Sequence, residues 1–242
     1  RPEQVILLVT QPSPSFVSVG AWALAVGIFL AAVLAALWGN ILKRLRFMFV
    51  RLLEVIVAIV AIVVMAYTGL LLQSLHAVPF WATPWLPVLF TLSSLSCGIA
   101  IVLGTAQFSG ADQVFRTVLH RLVIVDAAVI VLECIAAMGF LMPIVSTIDS
   151  AWLGAANGSI LAASSAASDL LTGQNAPFFW GGFVLVGLIV PLVLEVVVVL
   201  GRRVSPLTTI AMVSSVLVGG FVMRFCVVEA GIHPMLAIVA TG

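Results

Sequence analysis

The feature that most limits how this chain can fold is a series of six apolar segments, each long enough to cross a lipid bilayer. A spanning helix needs about 20 mostly apolar residues. Such segments lie at about residues 16–38, 48–73, 84–106, 118–147, 177–201 and 205–231. Hydrophobic residues make up 63% of the chain and charged residues 8%, whereas about a quarter of the residues in a soluble domain are charged.

The length of these segments also decides their secondary structure. Strands of a membrane barrel are about 10 residues long and alternate in polarity, and none of the six segments has that pattern. The sequence therefore predicts an all-α fold, a polytopic integral membrane helix bundle. We see no domain boundary, so residues 1–242 are predicted to form a single transmembrane domain.

Basic residues are confined to alternate loops between the predicted spans. Eight of the ten Lys and Arg residues lie in or beside the loops after spans one, three and five: Lys43, Arg44, Arg46, Arg51, Arg116, Arg121, Arg202 and Arg203. The loops at residues 74–83 and 148–176 contain none. By the positive-inside rule the basic loops face the cytoplasm. Both ends of the sequence and the 148–176 loop are then predicted to face outward. Residues 151–171 are predicted either to form a helix along that surface or to cap a partner protein.

Several ionisable side chains lie within the apolar spans, where charge is costly and usually marks a pathway or a site, and six of them are candidates for such a role. They are Glu54, Arg121, Asp126, Glu133, Glu195 and Arg224. Asp126 and Glu133 are seven residues apart, which places them on one helix face about two turns apart. One interpretation is a proton pathway that runs from Arg121 at the inner mouth through Asp126 and Glu133 to the outer corner near Tyr67.

A second interpretation of these charges is structural. Ion pairs between helices would fix the packing, with Arg224 paired to one carboxylate. Glu54 and Glu195 are the remaining members of the candidate pathway and lie in the inner halves of their spans. Like Arg121, they are close enough to the inner interface to extend their charged ends into it, and this is the interpretation we favour for the two glutamates.

The corner between spans two and three concentrates amphipathic side chains. It reads YTGLLLQSLHAVPFWATPWLP from Tyr67 to Pro87 and contains the one tyrosine of the chain. His76, Phe80, Trp81 and Trp85 belong to the same stretch. Aromatic residues of this kind often form a belt at the membrane interface. They are equally suited to line a pocket for an amphipathic ring, and the pattern leaves both interpretations open.

The positions of histidine and cysteine disfavour metal and haem binding by this chain. None of the histidines, His76, His120 and His233, lies in the middle of a span, so no pair is placed to ligate haem b. The three cysteines lie inside apolar segments without metal-ligand spacing and are interpreted as small core residues. No nucleophile and base are paired as hydrolysis requires, so we predict no catalytic residue and no metal ligand.

Four stretches of the chain together resemble a known family. They are PSPSFVSVGAW, AYTGLLLQS, PFWATPWLPVLFTLSSLSCG and LVGGFVMRFCVVEAG. They resemble the NrfD-like family, the membrane subunits of polysulfide reductase and related iron–sulfur molybdoenzyme complexes. The resemblance implies a haem-free anchor of about eight helices in the cytoplasmic (inner) membrane of a bacterium or archaeon. Residues 12–22 would open the third family helix, so we expect the two helices before it to be absent from this sequence.

The same resemblance implies a function in electron transfer. The anchor would exchange electrons between a quinone, menaquinone or ubiquinone, and a ferredoxin-like iron–sulfur subunit, with the clusters in that partner. A catalytic subunit carrying molybdopterin or several haems is implied on the outward face. Tyr67 matches the tyrosine that holds the quinone ring in the family, whereas the family's first-helix ligands have no counterpart here. Our hypothesis adds neighbouring residues to this tyrosine, and the candidate quinone-binding residues are Tyr67, His76, Phe80, Trp81, Trp85 and Arg224.

Two other functions remain open from the residues. Buried acids and an arginine also suit a proton-coupled transporter, although the sequence contains no inverted repeat and no pair of broken helices. A purely structural anchor that holds a partner without binding quinone is the third hypothesis. Within the quinone hypothesis, protons come either from the nearer aqueous face or through Asp126 and Glu133 from the cytoplasm.

Overall fold

The computed structural model describes residues 16–39, 47–75, 78–110, 115–152, 158–201 and 206–241. These residues form seven α-helices: α1 (Phe16–Trp38), α2 (Phe47–Ser74), α3 (Trp85–Phe108), α4 (Arg116–Trp152), α5 (Gly158–Thr172), α6 (Val190–Val199) and α7 (Pro206–Thr241). A 3₁₀ turn at Pro79–Trp81 precedes α3, and a wide helical segment at Phe178–Ile189 leads directly into α6. The predicted all-α fold is confirmed.

Six stretches of these helices are long and apolar enough to cross a membrane. They are Ser18–Trp38, Phe47–Ser74, Trp85–Phe108, Thr117–Pro143, Phe178–Val199 and Pro206–Ile232. Each overlaps one of the six spans expected from the sequence, and most boundaries differ by only a few residues. Pro84 occupies the N-cap of α3 with φ −67°, where a missing N–H costs nothing because the first N–H groups of a helix have no partner within it.

Helix α5 is too short to span and lies within the predicted 148–176 loop, so a helix at 151–171 is confirmed in part. Ala166, Ala167 and Leu170 form its buried face, and it packs against α4, α7 and the 3₁₀ turn. Asp169 lies in the last turn of the helix and fixes the chain that follows it. Its carboxylate accepts hydrogen bonds from the Gln174 N–H at 3.1 Å and from Asn175 Nδ2 at 2.8 Å. Helix α5 therefore caps the end of the bundle opposite the predicted basic loops.

The wide helical segment before α6 has a local cause in Pro191. Proline has no N–H, and its ring crowds the carbonyl four residues earlier. The helix here is loosened, and the Val190 N–H donates to the carbonyl of Leu185, five residues back. At Gly219 a Cβ would lie 2.0 Å from the Cα of Gly187. The wide segment and α7 therefore touch backbone to backbone, as small residues allow in membrane helices.

The helices divide into a packed core and a peripheral pair. Helices α3, α4 and α7 and the segment 178–199 surround the main cluster of buried side chains, which includes Phe80, Phe140 and Phe183. Helix α1 packs on α2, and α2 packs on α3. In the most apolar window of α1 and of α2, 6% of the residues are buried, against 28–44% in the other four spans.

Candidate functional site

Tyr67 lies on α2 with its ring seated against α1. A Cβ added to Gly20 would lie 1.7 Å from Cζ of the Tyr67 ring, so this position in α1 accommodates the ring only as glycine. The side chain is half-buried. Two residues further on, a Cβ on Gly69 would lie 2.5 Å from the Cα of Pro87. Tyr67 is thus held where α1, α2 and the start of α3 approach one another.

Phe80 and Trp81 are buried in the core and face away from the bundle surface. The Phe80 ring makes an edge-to-face contact with Phe140 of α4, with ring centroids 5.4 Å apart. The Trp81 indole N–H donates to the carbonyl of Val227 in α7 at 2.9 Å. The interfacial-belt interpretation is therefore wrong for these two residues, because the 3₁₀ turn at Pro79–Trp81 directs them inward.

Trp85 differs from them because it is 39% exposed. It starts α3 and packs over Gly139 of α4, where a Cβ would lie 2.6 Å from the indole ring. Its position at the start of a span, partly exposed, fits a belt residue and equally the rim of a pocket. The three aromatic residues of the corner thus pack towards α4 and α7, whereas Tyr67 packs towards α1.

Arg224 of α7 is held by neutral oxygen atoms. Its guanidinium donates to Ser94 Oγ at 2.7 Å, to the carbonyl of Gly220 at 2.8 Å and to the carbonyl of Phe90 at 3.3 Å. The Phe90 ring lies 5.4 Å from Cζ. These partners are neutral groups, so the contacts among the described residues do not support the alternative interpretation in which Arg224 pairs directly with a carboxylate.

Glu133 lies one side chain away from this arginine. It is buried on α4 beside the hydroxyl of Ser93, and the charge of Arg224 acts on it. Ser93 Oγ in turn lies 3.5 Å from Arg224 Nη1. Gly220 provides the space for this group, because a Cβ there would lie 2.7 Å from Cys97 Sγ and 3.3 Å from Ser93 Oγ. Glu133, Ser93 and Arg224 form a polar cluster between α3, α4 and α7.

A second polar cluster lies towards the predicted basic loops. Asp126 of α4 and Glu195 of α6 are both 0% exposed, and each carboxyl is within interaction reach of the other. Asp126 and Glu133 occupy the same face of α4, as the spacing predicts. The favoured interpretation that Glu195 extends to the interface is wrong: the residue points into the bundle and meets Asp126.

The remaining predicted site residues are not brought into these clusters. Arg121 is exposed on α4, and Glu54 is half-buried on α2, the side of the molecule away from α6. His76 lies outside the described residues, as do most of the basic loop residues used to predict orientation. Among the described residues no group of three or more His, Cys, Asp and Glu side chains is arranged to hold a metal ion.

The sequence reasoning did not assign a role to the serines of α3 or to Gly20. Ser93 and Ser94 contact Arg224, and Ser96 lies beside Asp126. The signal for the serines was present, since LSSLSC places three hydroxyls in the middle of an apolar span, where an unpaired polar group is costly. Nothing in the sequence marked Gly20, because its importance comes from the helix packed against it.

Comparison with known proteins gives a consistent set of relatives. The family described as "Polysulphide reductase, NrfD" matches residues 1–235. The C subunit of polysulfide reductase from Wolinella succinogenes is 31% identical over 78% of this chain and 56% of its own length. Protein NrfD of Escherichia coli is 30% identical over 74% of this chain and 52% of its own.

The chain spans about half the length of the curated relatives it matches. A third relative, the NrfD homolog of Haemophilus influenzae, is 28% identical over 74% of this chain. No solved structure shows a significant match.

Proposed function

The chain belongs to the NrfD (polysulphide reductase) family, and on that premise we propose that it is the membrane subunit through which a quinone exchanges electrons with an iron–sulfur partner. The observation that carries the proposal is the position of Tyr67. Its phenol is half-buried at a three-helix approach, and Gly20 leaves no freedom for the ring to move towards α1. A fixed polar group beside exposed apolar surface suits a ring that arrives through the bilayer.

A phenol serves both redox states of the carrier. It donates a hydrogen bond to a quinone oxygen and accepts one from a quinol hydroxyl. Oxidation of a quinol releases two electrons and two protons, so the electrons pass to the cluster-bearing partner and the protons need acceptors. We place the partner and its catalytic subunit on the face opposite the basic loops, which is the outward face of a cytoplasmic membrane by the positive-inside rule.

The other members of the predicted quinone set take different roles in this proposal. Phe80 and Trp81 pack the core and support the corner from within, so they do not wall the ring. Trp85 remains a candidate for the rim. Arg224 is engaged by α3 and belongs to the proton path together with Glu133, for which Ser93 is the connecting hydroxyl.

The direct test replaces the Tyr67 hydroxyl alone. In the assembled complex Tyr67→Phe keeps the ring that packs on Gly20 and is expected to lower quinol oxidation at least about 10-fold, because a hydrogen bond to a reacting group is lost. Thr68→Val is the matched control. It removes a hydroxyl one residue away that bonds the carbonyl of Met65 in its own helix, and turnover should stay within about twofold. Equal turnover in Tyr67→Phe and wild type contradicts the proposal.

A proton-coupled transporter is the second candidate, and the buried carboxyls of α4 and α6 are the observation that favours it. Intramembrane acids mark proton relays in transporters as well as in redox subunits. The two functions separate on purification. A cluster-bearing partner and a bound quinone support the redox subunit, whereas uptake of a solute by the chain alone in vesicles supports transport.

A further inference from the structure

Asp126 and Glu195 form an acid pair with no positively charged partner among the described residues. The two carboxyls face each other between α4 and α6, and both are fully buried. None of their four oxygen atoms accepts a hydrogen bond with good geometry from the described residues. Each oxygen is therefore short of the donor that a buried carboxylate normally has.

The surroundings of the pair contain one further unpartnered group. Ser96 of α3 is 1% exposed, its hydroxyl lies beside Asp126, and this hydroxyl also lacks a well-formed hydrogen bond. Three buried polar side chains from three helices thus lie close together, and none of their side-chain oxygen atoms has a well-formed hydrogen bond within the described part of the chain. Buried polar groups without a hydrogen-bond partner require an explanation, such as an additional proton or a bound ion.

No other charged group of the described helices neutralises the pair. Arg224 of α7 is engaged by Ser94 and the carbonyl of Gly220 and acts on Glu133, two turns away from Asp126. Cys97 of α3, the other titratable group close to Asp126, contributes no positive charge. Arg121 is exposed towards the basic loops. Two adjacent negative charges would therefore repel one another in an apolar interior.

We propose that Asp126 and Glu195 share one proton and form a proton-storage site between α4 and α6, completed by the Ser96 hydroxyl. The shared proton removes one of the two charges and supplies the missing donor between the carboxyls. The pair then carries a single negative charge, with Ser96 donating to it. Uptake of a second proton makes the pair neutral, and release of that proton restores the single negative charge. The site therefore stores a proton reversibly, at a position between the basic loops and the Glu133 cluster.

Infrared spectroscopy of the intact membrane complex in lipid tests this directly. The C=O stretch of a protonated carboxyl is expected in the wild type at neutral pH and should shift in D₂O. In Asp126→Asn or Glu195→Gln the new amide supplies the N–H donor that the shared proton supplied, so the remaining carboxyl keeps its charge. Each single variant should lose the whole band, and the double variant should lose no more than either single variant.

A matched control comes from the same helix. Glu133→Gln makes the same isosteric change seven residues away, and the band assigned to the pair should remain. Partial loss in each single variant that sums in the double variant means two independently protonated acids and overturns the proposal. A band absent from the wild type, with sodium-dependent stability in its place, means a bound cation and also overturns it.

A measurement on the unaltered chain keeps the proposal testable if an amide variant fails to assemble. Carboxyl-¹³C labelling of aspartate and, separately, of glutamate should perturb the same infrared band, because one proton joins both residues. Two bands that each respond to one label contradict sharing. The result does not depend on the proposed quinone site. If Tyr67→Phe has normal activity while the shared band is present, only the quinone proposal fails. If Tyr67→Phe loses activity while no shared band is found, only the proton-storage proposal fails.

Discussion

The peripheral pair α1–α2 and the core of α3, α4, α6 and α7 use their residues in opposite ways. Apolar side chains of the peripheral pair are largely exposed, and its contact with the rest depends on close approaches such as Gly69 to Pro87. The core buries aromatic side chains and also buries Asp126, Glu133 and Glu195. Charged groups inside a bilayer require surroundings that hold them in place, and the core provides them for these three carboxyl side chains.

The division suggests how the two halves of the proposed chemistry are separated. In the proposed function the quinone binds at Tyr67, which lies half-buried on the peripheral pair and outside the core. The acids to which we assign proton transfer are instead buried in the core. Four sets of substitutions test this division, and their expected effects on stability decrease from the first to the last.

The largest difference in stability is expected between two variants that each remove an aromatic side chain, one from the core and one from the peripheral pair. Phe140→Ala in the core, where Phe140 is 1% exposed, should lower the free energy of unfolding by about 4 kcal/mol because a cavity remains beside Phe80. Phe29→Ala on α1, where Phe29 is 67% exposed, should lower it by less than about 1 kcal/mol. Unfolding in detergent with increasing denaturant measures both, and equal losses would show that the core is no better packed than α1.

The two arginines test the cost of charge in each region. Arg224→Met removes the donor to Ser94 Oγ and the further hydrogen bonds to the carbonyls of Gly220 and Phe90, and should cost about 3 kcal/mol of stability. Arg51→Met on α2 removes a guanidinium that lies 5.5 Å from the Phe47 ring at an exposed position, and should cost under about 1 kcal/mol. The same denaturant titration measures both variants, and similar costs would mean that Arg224 is not held by its contacts with α3.

The crossing of α7 with the wide segment tests the backbone packing of the core. Gly219→Ala forces the chains apart at Gly187 and should destabilise the fold by about 2 kcal/mol. Gly181→Ala is the matched control, because a Cβ there meets nothing within 4 Å in the described structure. An unchanged melting temperature in Gly219→Ala would show that this contact does not hold the two helices together.

The seat of Tyr67 tests the peripheral pair itself. Gly20→Ala places a methyl group in the space of the Tyr67 ring and should cost only about 1 kcal/mol, because α1 can move outward into lipid. The displaced phenol should nevertheless lower quinol oxidation about 10-fold, since small misplacements at a reacting site are expensive. Gly98→Ala, with no atom within 4 Å of its Cβ, serves as the control. Normal turnover in Gly20→Ala would mean that the ring position is unimportant.

The positions of the spans were predictable because the length of an apolar run is a property of the local sequence. The shared face of Asp126 and Glu133 followed from helical periodicity alone. The inward direction of Phe80 and Trp81 was not predictable, because it depends on a 3₁₀ turn within a stretch that also reads as an interfacial loop. Local pattern does not state which way a turn directs its side chains.

The partner of each buried charge was also beyond the sequence. Glu195 meets Asp126 because of how α6 packs on α4, and the wide turns before Pro191 make the facing side of α6 hard to derive from a 3.6-residue period. One of the two interpretations paired Arg224 with a carboxylate, whereas the side chain meets serines 130 and 131 residues away along the chain. Contacts of this kind are set by helix packing and not by spacing.

The central claim, that quinone binds at the α1–α2 side and protons are held in the core, is tested most directly by photoaffinity labelling of the intact complex with a photoreactive quinone analogue. The label is expected on α2 around Tyr67 and on α1 around Gly20, competed by quinone and strongly reduced in Tyr67→Phe but not in Thr68→Val. Specific labelling confined to α4, α6 or α7, unaffected by Tyr67→Phe, would contradict the account.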